Sequence, residues 1–274
     1  MKVVLGYSGS LETSAAIRLL AARPGTTVVA LVLDLGQDRD LQQLRTQATS
    51  LGAVRAHVLD TREEFARDCI LPTLHAVHSD VHDPLATIEH IAHPLLARKL
   101  VEIAGIEQTT VVAHGGSREE HVSIEAAVAT ISGGITVLAP IADAGMDRDQ
   151  LIAFARANGI AVPSAARRSP MRMPDIPAHV EVQFEQGVPV SVNGVPMSLT
   201  ELIESLSVIA VNHGIARGNV AESHTMYEAP AAVVLGEAHD ALAGGGHARP
   251  TGTVRLKLFR GEHTVVGHSP VAVN

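Results

Sequence analysis

Eight residues near the start of the chain, Tyr7-Ser8-Gly9-Ser10-Leu11-Glu12-Thr13-Ser14, bring together the residue types that hold an anion. Small residues let backbone N–H groups approach a phosphate, the start of a following helix adds partial positive charge, and the hydroxyls of Ser8, Ser10, Thr13 and Ser14 are further donors. The same residues also read as an ordinary capped turn, with Ser10 as N-cap and Thr13 or Ser14 in the first helical turn. The loop has no Walker-type lysine. Other chemistry is thinly supplied. Cys69 is the single cysteine, which excludes an internal disulfide and a C-x-x-C site, and it reads as a small buried hydrophobe. The fifteen histidines fall at irregular intervals. His75, His78, His82, His90 and His93 share one stretch without metal-ligand spacing, so solvated or locally hydrogen-bonded rings are expected there rather than a metal centre.

To act as a phosphate cradle the loop must join a strand to a helix, and its flanks have that pattern. Lys2–Tyr7 is a β-rich apolar run, and a helical pattern follows over Glu12–Ala22. Thr27–Leu33 is apolar without alternation, as expected of a strand buried on both faces of a parallel sheet. Helical patterns at Arg39–Leu51 and Arg62–His78 bracket a strand at Arg55–Leu59, and a helix near Pro94–Ala104 precedes strands at Thr109–Ala113 and Ile135–Ala139. Strands alternating with helices point to βαβ units, an α/β fold with a doubly wound parallel sheet. The character changes near Ser164, where the segment Pro163–Pro177 carries four prolines and no periodicity. The expected domains are therefore 1–164 and 165–274. The second reads as a smaller, antiparallel α+β domain. Val180–Phe184 and Val188–Val192 flank Gln186-Gly187, Asn193-Gly194 is another turn signal, a helix covers Leu199–Asn212, and Val254–Phe259 pairs with His263–Gly267. Ala243–Pro250 reads as a mobile loop.

Composition narrows the partners. The net charge is −8 and the basic residues are scattered apart from Arg167 and Arg168, so no stripe tracks a phosphate backbone and no nucleic-acid partner is expected. Aromatic residues are scarce and tryptophan is absent, which argues against base-stacking platforms. No run reaches about 18 apolar residues and the N-terminus lacks a signal-peptide pattern, so no membrane partner is expected and a cytoplasmic location is.

The Tyr7–Ser14 loop resembles the S-G-G-x-D-T-S pyrophosphate loop of the N-type ATP pyrophosphatases, and further motifs resemble argininosuccinate synthase. These are Asp34-Leu35-Gly36-Gln37, Arg62-Glu63-Glu64-Phe65, Pro94-Leu95-Leu96-Ala97-Arg98-Lys99, Ala113-His114-Gly115, Val190-Ser191-Val192-Asn193-Gly194, His213-Gly214-Ile215, Tyr227-Glu228-Ala229-Pro230 and Val254-Arg255-Leu256-Lys257-Leu258. The resemblance spans nearly the whole chain and implies a Rossmann-like domain of the adenine nucleotide alpha hydrolase type. It implies ATP and Mg²⁺ as cofactors, with adenylation of an acceptor oxygen, release of pyrophosphate and displacement of AMP by an amine. The nucleotide contacts so implied are Tyr7, Ser8, Gly9, Ser10, Leu11, Glu12, Thr13, Ser14, Leu33 and Gly115. Contacts to amino-acid-like substrates fall on Ser117, Glu119, Glu120, Ser123, Glu222 and Tyr227. No residue is assigned as chemically consumed.

Several positions depart from the family pattern. Ser10 stands at a glycine, where its Cβ would either obstruct a strained backbone or bring a hydroxyl to the phosphate, and Glu12 stands at an aspartate. After His114-Gly115, Gly116-Ser117-Arg118-Glu119-Glu120-His121-Val122-Ser123-Ile124-Glu125 stands against a family stretch containing Asn-Asp-Gln-Val-Arg-Phe-Glu, about three residues longer. Glu119 thus replaces an asparagine and Ser123 an arginine, which inverts the local preference for a carboxylate-bearing substrate. The segment Pro163–Pro177 and the stretch between Glu222 and Tyr227 are shortened, and the chain stops at Asn274 before the family's long C-terminal helix. A homo-oligomer is left open, resting on other surfaces. The leading expectation is an ATP-dependent ligase acting on a pair other than citrulline and aspartate. The alternative is a catalytically silent nucleotide-binding paralogue. A tRNA-thiolating enzyme is a poor third, lacking a basic surface and a suitable cysteine.

Overall fold

The computed structural model describes residues 1–36, 40–75, 91–162, 173–215, 229–244 and 249–271. It divides into two compact units: the first comprises Met1–Asp34, Asp38–Thr61 and Ala92–Ala166, the second Leu35–Gln37, Arg62–Ile91 and Arg167–Asn274.

The first unit is built on a parallel five-stranded sheet in the order β3-β2-β1-β4-β5. β1 is Lys2–Gly6, β2 Thr27–Asp34, β3 Ala53–Asp60, β4 Val111–Ala113 and β5 Thr136–Leu138. β1 and β2 pair with Val3 opposite Val28 and Leu5 opposite Ala30. Their uninterrupted apolar runs follow from burial on both faces. On one face Val3, Leu5, Val28, Ala30 and Val32 pack in one cluster with Ile17 and Leu20 of α1 (Leu11–Ala21), Leu44 of α2 (Leu41–Ser50) and Leu151 of the later helix Arg148–Ala157. The other face carries the helix His93–Ile106: a Cβ on Gly6 of β1 would stand 3.0 Å from Cδ1 of Leu96. The order of strands reverses beside β1, so the ends of β1 and β4 border the crevice where doubly wound sheets hold ligands.

At the opposite end of the sheet Glu107, buried after the helix His93–Ile106, gathers two cations and an imidazole. Lys2 Nζ lies 3.1 Å away, Arg55 Nη1 3.1 Å and His57 Nε2 2.9 Å. These bonds tie β1 and β3 to the turn before β4.

The second unit carries an antiparallel five-stranded sheet, β10-β9-β6-β7-β8, formed by Ala178–Glu185 (β6), Val188–Val192 (β7), Val195–Pro196 (β8), Gly252–Phe259 (β9) and Glu262–Pro270 (β10). β6 alternates, with Val180, Val182 and Phe184 buried. Three two-residue turns connect neighbours, Gln186-Gly187, Asn193-Gly194 and Arg260-Gly261, each with both residues at positive φ. That backbone matches the twist of a hairpin and favours Asn-Gly. The helix Leu199–Asn212 is capped by a reciprocal pair of bonds between Ser198 and Glu201. A further helix, Ala229–Ala243, contributes Leu235 and Ala238 to the core.

The helical stretch expected from Arg62 is broken within its described part. Arg62–Phe65 leads into a wider π turn, Ala66–Ile70, and then Leu71–His75. Pro72 lacks an amide donor and its ring crowds the carbonyl four residues back, and the Leu71 N–H instead reaches the carbonyl of Ala66. Cys69 is buried in this turn. Among the described residues four helices went unread in the sequence: Arg118–Ile131, the short Pro140–Asp143, Arg148–Ala157 and Ala229–Ala243. Of the loop read over 243–250, residues 245–248 lie outside the described residues. Among the described residues no helix is long and apolar enough to cross a membrane.

Candidate nucleotide and substrate site

The turn leaving β1 is shaped by one glycine and one cap. Gly9 sits at φ +77°, a conformation that suits glycine. Ser10 follows with ordinary extended dihedrals, φ −71° and ψ 168°, so its side chain brings no backbone strain. Its Oγ accepts the Thr13 amide at 3.0 Å and lies 2.9 Å from Thr13 Oγ1. Ser10 is therefore the N-cap of α1, and its hydroxyl is engaged within the turn. Thr13 is the hub of the loop: Oγ1 also lies 3.4 Å from Ser8 Oγ and 3.4 Å from the Ser10 carbonyl. Ser14 is buried and 3.4 Å from the Tyr7 hydroxyl. Of the four hydroxyl residues only Ser8 is exposed. Glu12, in the first turn of α1, lies 3.9 Å from Arg148. Leu33 ends up near the C-terminal end of β2, and Leu11 is buried under the turn.

The segment leaving β4 lies directly against this loop. A Cβ on Gly115 would stand 2.7 Å from Thr13 Cγ2 and 2.8 Å from the Thr13 nitrogen. Only a glycine allows two backbones to approach so closely. Beyond it, Ser117 caps the helix Arg118–Ile131: its Oγ accepts the Glu120 amide at 3.2 Å, and the Glu120 carboxylate accepts the Ser117 amide in return. Two of the expected substrate residues thus hold each other at the helix start. Glu119 is exposed beside them. Ser123, also exposed, lies 3.1 Å from Nδ1 of the buried His93, whose Nε2 is 3.9 Å from Glu120. Glu222 and Tyr227 lie outside the described residues, as does Gln37.

Sequence reasoning did not single out the imidazoles of this corner. His114 is buried, its Nδ1 accepts the Gly116 amide at 3.0 Å, and its Nε2 is 3.0 Å from His121 Nδ1. Burial, then the neighbouring His121, push His114 down to about 4; Glu120 opposes this, His93 adds to it and Asp143 opposes it. The available signal was a pair of histidines flanking a Ser-x-x-Glu cap. Among the described residues no group of three or more His, Cys, Asp or Glu side chains forms a metal site.

Comparison with known proteins finds matches along most of the chain. Residues 2–161 match the arginosuccinate synthase N-terminal HUP domain and residues 164–244 the arginosuccinate synthase C-terminal domain. Argininosuccinate synthase of Streptococcus suis is 33% identical over 281 residues, covering 87% of this chain and 70% of that protein. The Symbiobacterium thermophilum protein of the same name is 37% identical over 285 residues, covering 88% and 71%. That of Dehalococcoides mccartyi is 36% identical over 286 residues, covering 88% and 70%. Among solved structures, NAD+ synthetase from Burkholderia pseudomallei aligns over 59% of this chain and 61% of that one, at 21% identity and a TM-score of 0.40, too loose a match to argue from.

Proposed function

Because the chain belongs to the argininosuccinate synthase family of ATP-dependent carbon–nitrogen ligases, we propose that it binds ATP at the Tyr7–Ser14 loop and adenylates an acceptor oxygen for attack by an amine. The observation that carries this reading is the backbone contact between Gly115 and Thr13 at the ends of β1 and β4, which makes one surface of two loops at the sheet's reversal point. Gly9 keeps the turn free of a Cβ at positive φ, Gly115 lets the second loop close against Thr13, and the α1 N-terminus favours negative charge there. ATP supplies the leaving group, turning a poor leaving oxygen into a phosphate ester. Ser8 and the early amides of α1 would hold the departing phosphates, and Mg²⁺ would travel with the nucleotide's own phosphate oxygens. Positioning is the protein's main contribution to such a transfer.

For the amino-acid pair, we read the site as altered. The family's arginine position holds Ser123, bonded to His93, and its asparagine position holds the exposed carboxylate of Glu119. A site with one cation fewer and one carboxylate more is poorly matched to citrulline with aspartate. The name of the relatives points to argininosuccinate, so that pair is the first to assay. The silent-paralogue reading is not favoured: Ser10, the substitution that threatened the nucleotide loop, sits in an unstrained conformation.

The test is pyrophosphate release from Mg-ATP by the purified chain, with citrulline plus aspartate and then with a panel of amino acids and carboxylates. Acceptor-dependent release with some member of the panel supports a ligase. Absence of Mg-ATP binding would remove the reading altogether.

A further inference from the structure

We propose that His121 is a positioning residue for the nucleotide end of the site, acting through the His114 ring to hold Gly116 and, through it, the contact of Gly115 with Thr13. The proposal rests on the reading of the Tyr7–Ser14 loop as a nucleotide site.

The geometry determines where the protons are. His114 Nδ1 accepts the Gly116 amide at 3.0 Å, so a neutral His114 carries its proton on Nε2. That N–H donates to His121 Nδ1 at 3.0 Å, with ring centroids 5.2 Å apart and planes 23° from parallel. His121 in turn carries its proton on Nε2, which lies 3.9 Å from the Glu125 carboxylate. Two directed hydrogen bonds thus join the Gly116 amide to His114 and His114 to His121, and the Glu125 carboxylate lies beyond hydrogen-bond distance. Gly116 is the residue after the one whose backbone abuts Thr13, so fixing its amide fixes the approach of the two loops.

These two bonds hold only while both rings are neutral. An extra proton on His121 Nδ1 would face the His114 N–H. Moving the His114 proton to Nδ1 would restore that bond but leave nothing to accept the Gly116 amide. An extra proton on His114 itself would oppose the same amide. Proton uptake at either ring therefore releases Gly116. The other charged groups around the pair are His93 from the start of the helix His93–Ile106, Asp143 from the short helix Pro140–Asp143, and Glu120 and Glu125 from the helix of His121 itself. At His114, burial, then His121 and His93, oppose proton uptake, while Glu120 and Asp143 favour it.

The experiment uses the full chain, His121→Ala and His121→Gln, with amide hydrogen exchange at Gly116 and Mg-ATP titrations at about pH 8. A glutamine carbonyl can accept the His114 N–H but cannot titrate. His121→Ala is expected to speed Gly116 exchange and weaken Mg-ATP at about pH 8, each roughly tenfold, the loss of one buried hydrogen bond. His121→Gln should match the parent in both readouts. Unchanged Gly116 exchange in His121→Ala, or exchange in His121→Gln as fast as in His121→Ala, would overturn the proposal. If exchange responds as stated but no protein binds Mg-ATP, the nucleotide reading falls and the hold of His121 on Gly116 stands.

Discussion

Gly115 lies against Thr13 so closely that a Cβ on Gly115 would stand 2.8 Å from the Thr13 nitrogen and 2.9 Å from its Cα. Backbone meets backbone, so no flexible side chain can swing aside. Gly115→Ala is expected to destabilise the fold by about 1–3 kcal/mol and to weaken Mg-ATP binding by pushing the two loops apart. Gly134→Ala is the control: nothing lies within 4 Å of its Cβ position, and a change within about 0.5 kcal/mol is expected. Urea denaturation and calorimetric titration of both variants decide the matter.

Ser10 engages the Thr13 amide, a donor that an anion at the α1 N-terminus could otherwise use. Ser10→Gly should cost only a few tenths of a kcal/mol, since glycine is a tolerated N-cap, and should leave Mg-ATP affinity equal or higher. Ser10→Ala should cost about 1 kcal/mol. A large loss of affinity in Ser10→Gly would show that the hydroxyl itself contacts the nucleotide.

At the acceptor end, Glu119→Asn combined with Ser123→Arg replaces a carboxylate and supplies a guanidinium. Pyrophosphate release with citrulline and aspartate is expected to rise by roughly a hundredfold over the parent, the scale of one or two charge-assisted bonds. A parent that already turns this pair over efficiently would contradict the altered-site reading.

Glu107 gives the fold an acid-sensitive tie. The His57 ring N–H, then the Lys2 ammonium and the Arg55 guanidinium, outweigh the cost of burial and hold its carboxyl at about 2, below its ordinary 4.5. A depressed folded value means that this stabilisation is fully present above about 4.5 and is lost as pH falls toward about 2. Glu107→Gln should therefore be less stable than the parent at neutral pH, with the gap narrowing as pH drops through that window. Denaturation curves across the series would refute this by a gap that stays constant.

The parallel sheet of the first unit and the hairpins of the second were legible in the sequence because their signals are local. Buried parallel strands need uninterrupted apolar runs such as Thr27–Leu33, a strand-to-helix turn needs a small residue such as Gly9, and Asn193-Gly194 suits a hairpin backbone wherever it occurs. The helix Arg118–Ile131 went unread because only Ile124 and Val128 are buried along it, too few to establish a period. Ser117 and Glu120, expected from the resemblance as substrate contacts, also form the cap of this helix. What the tertiary structure alone decided are the meetings of residues distant in the chain: Gly115 on Thr13, His93 beside Ser123, His114 against His121, and Glu107 among Lys2, Arg55 and His57. Residue type shows what each of these groups can donate or accept. Which partner it meets depends on how strand order and helix packing bring separate segments together, and no local pattern encodes that distance.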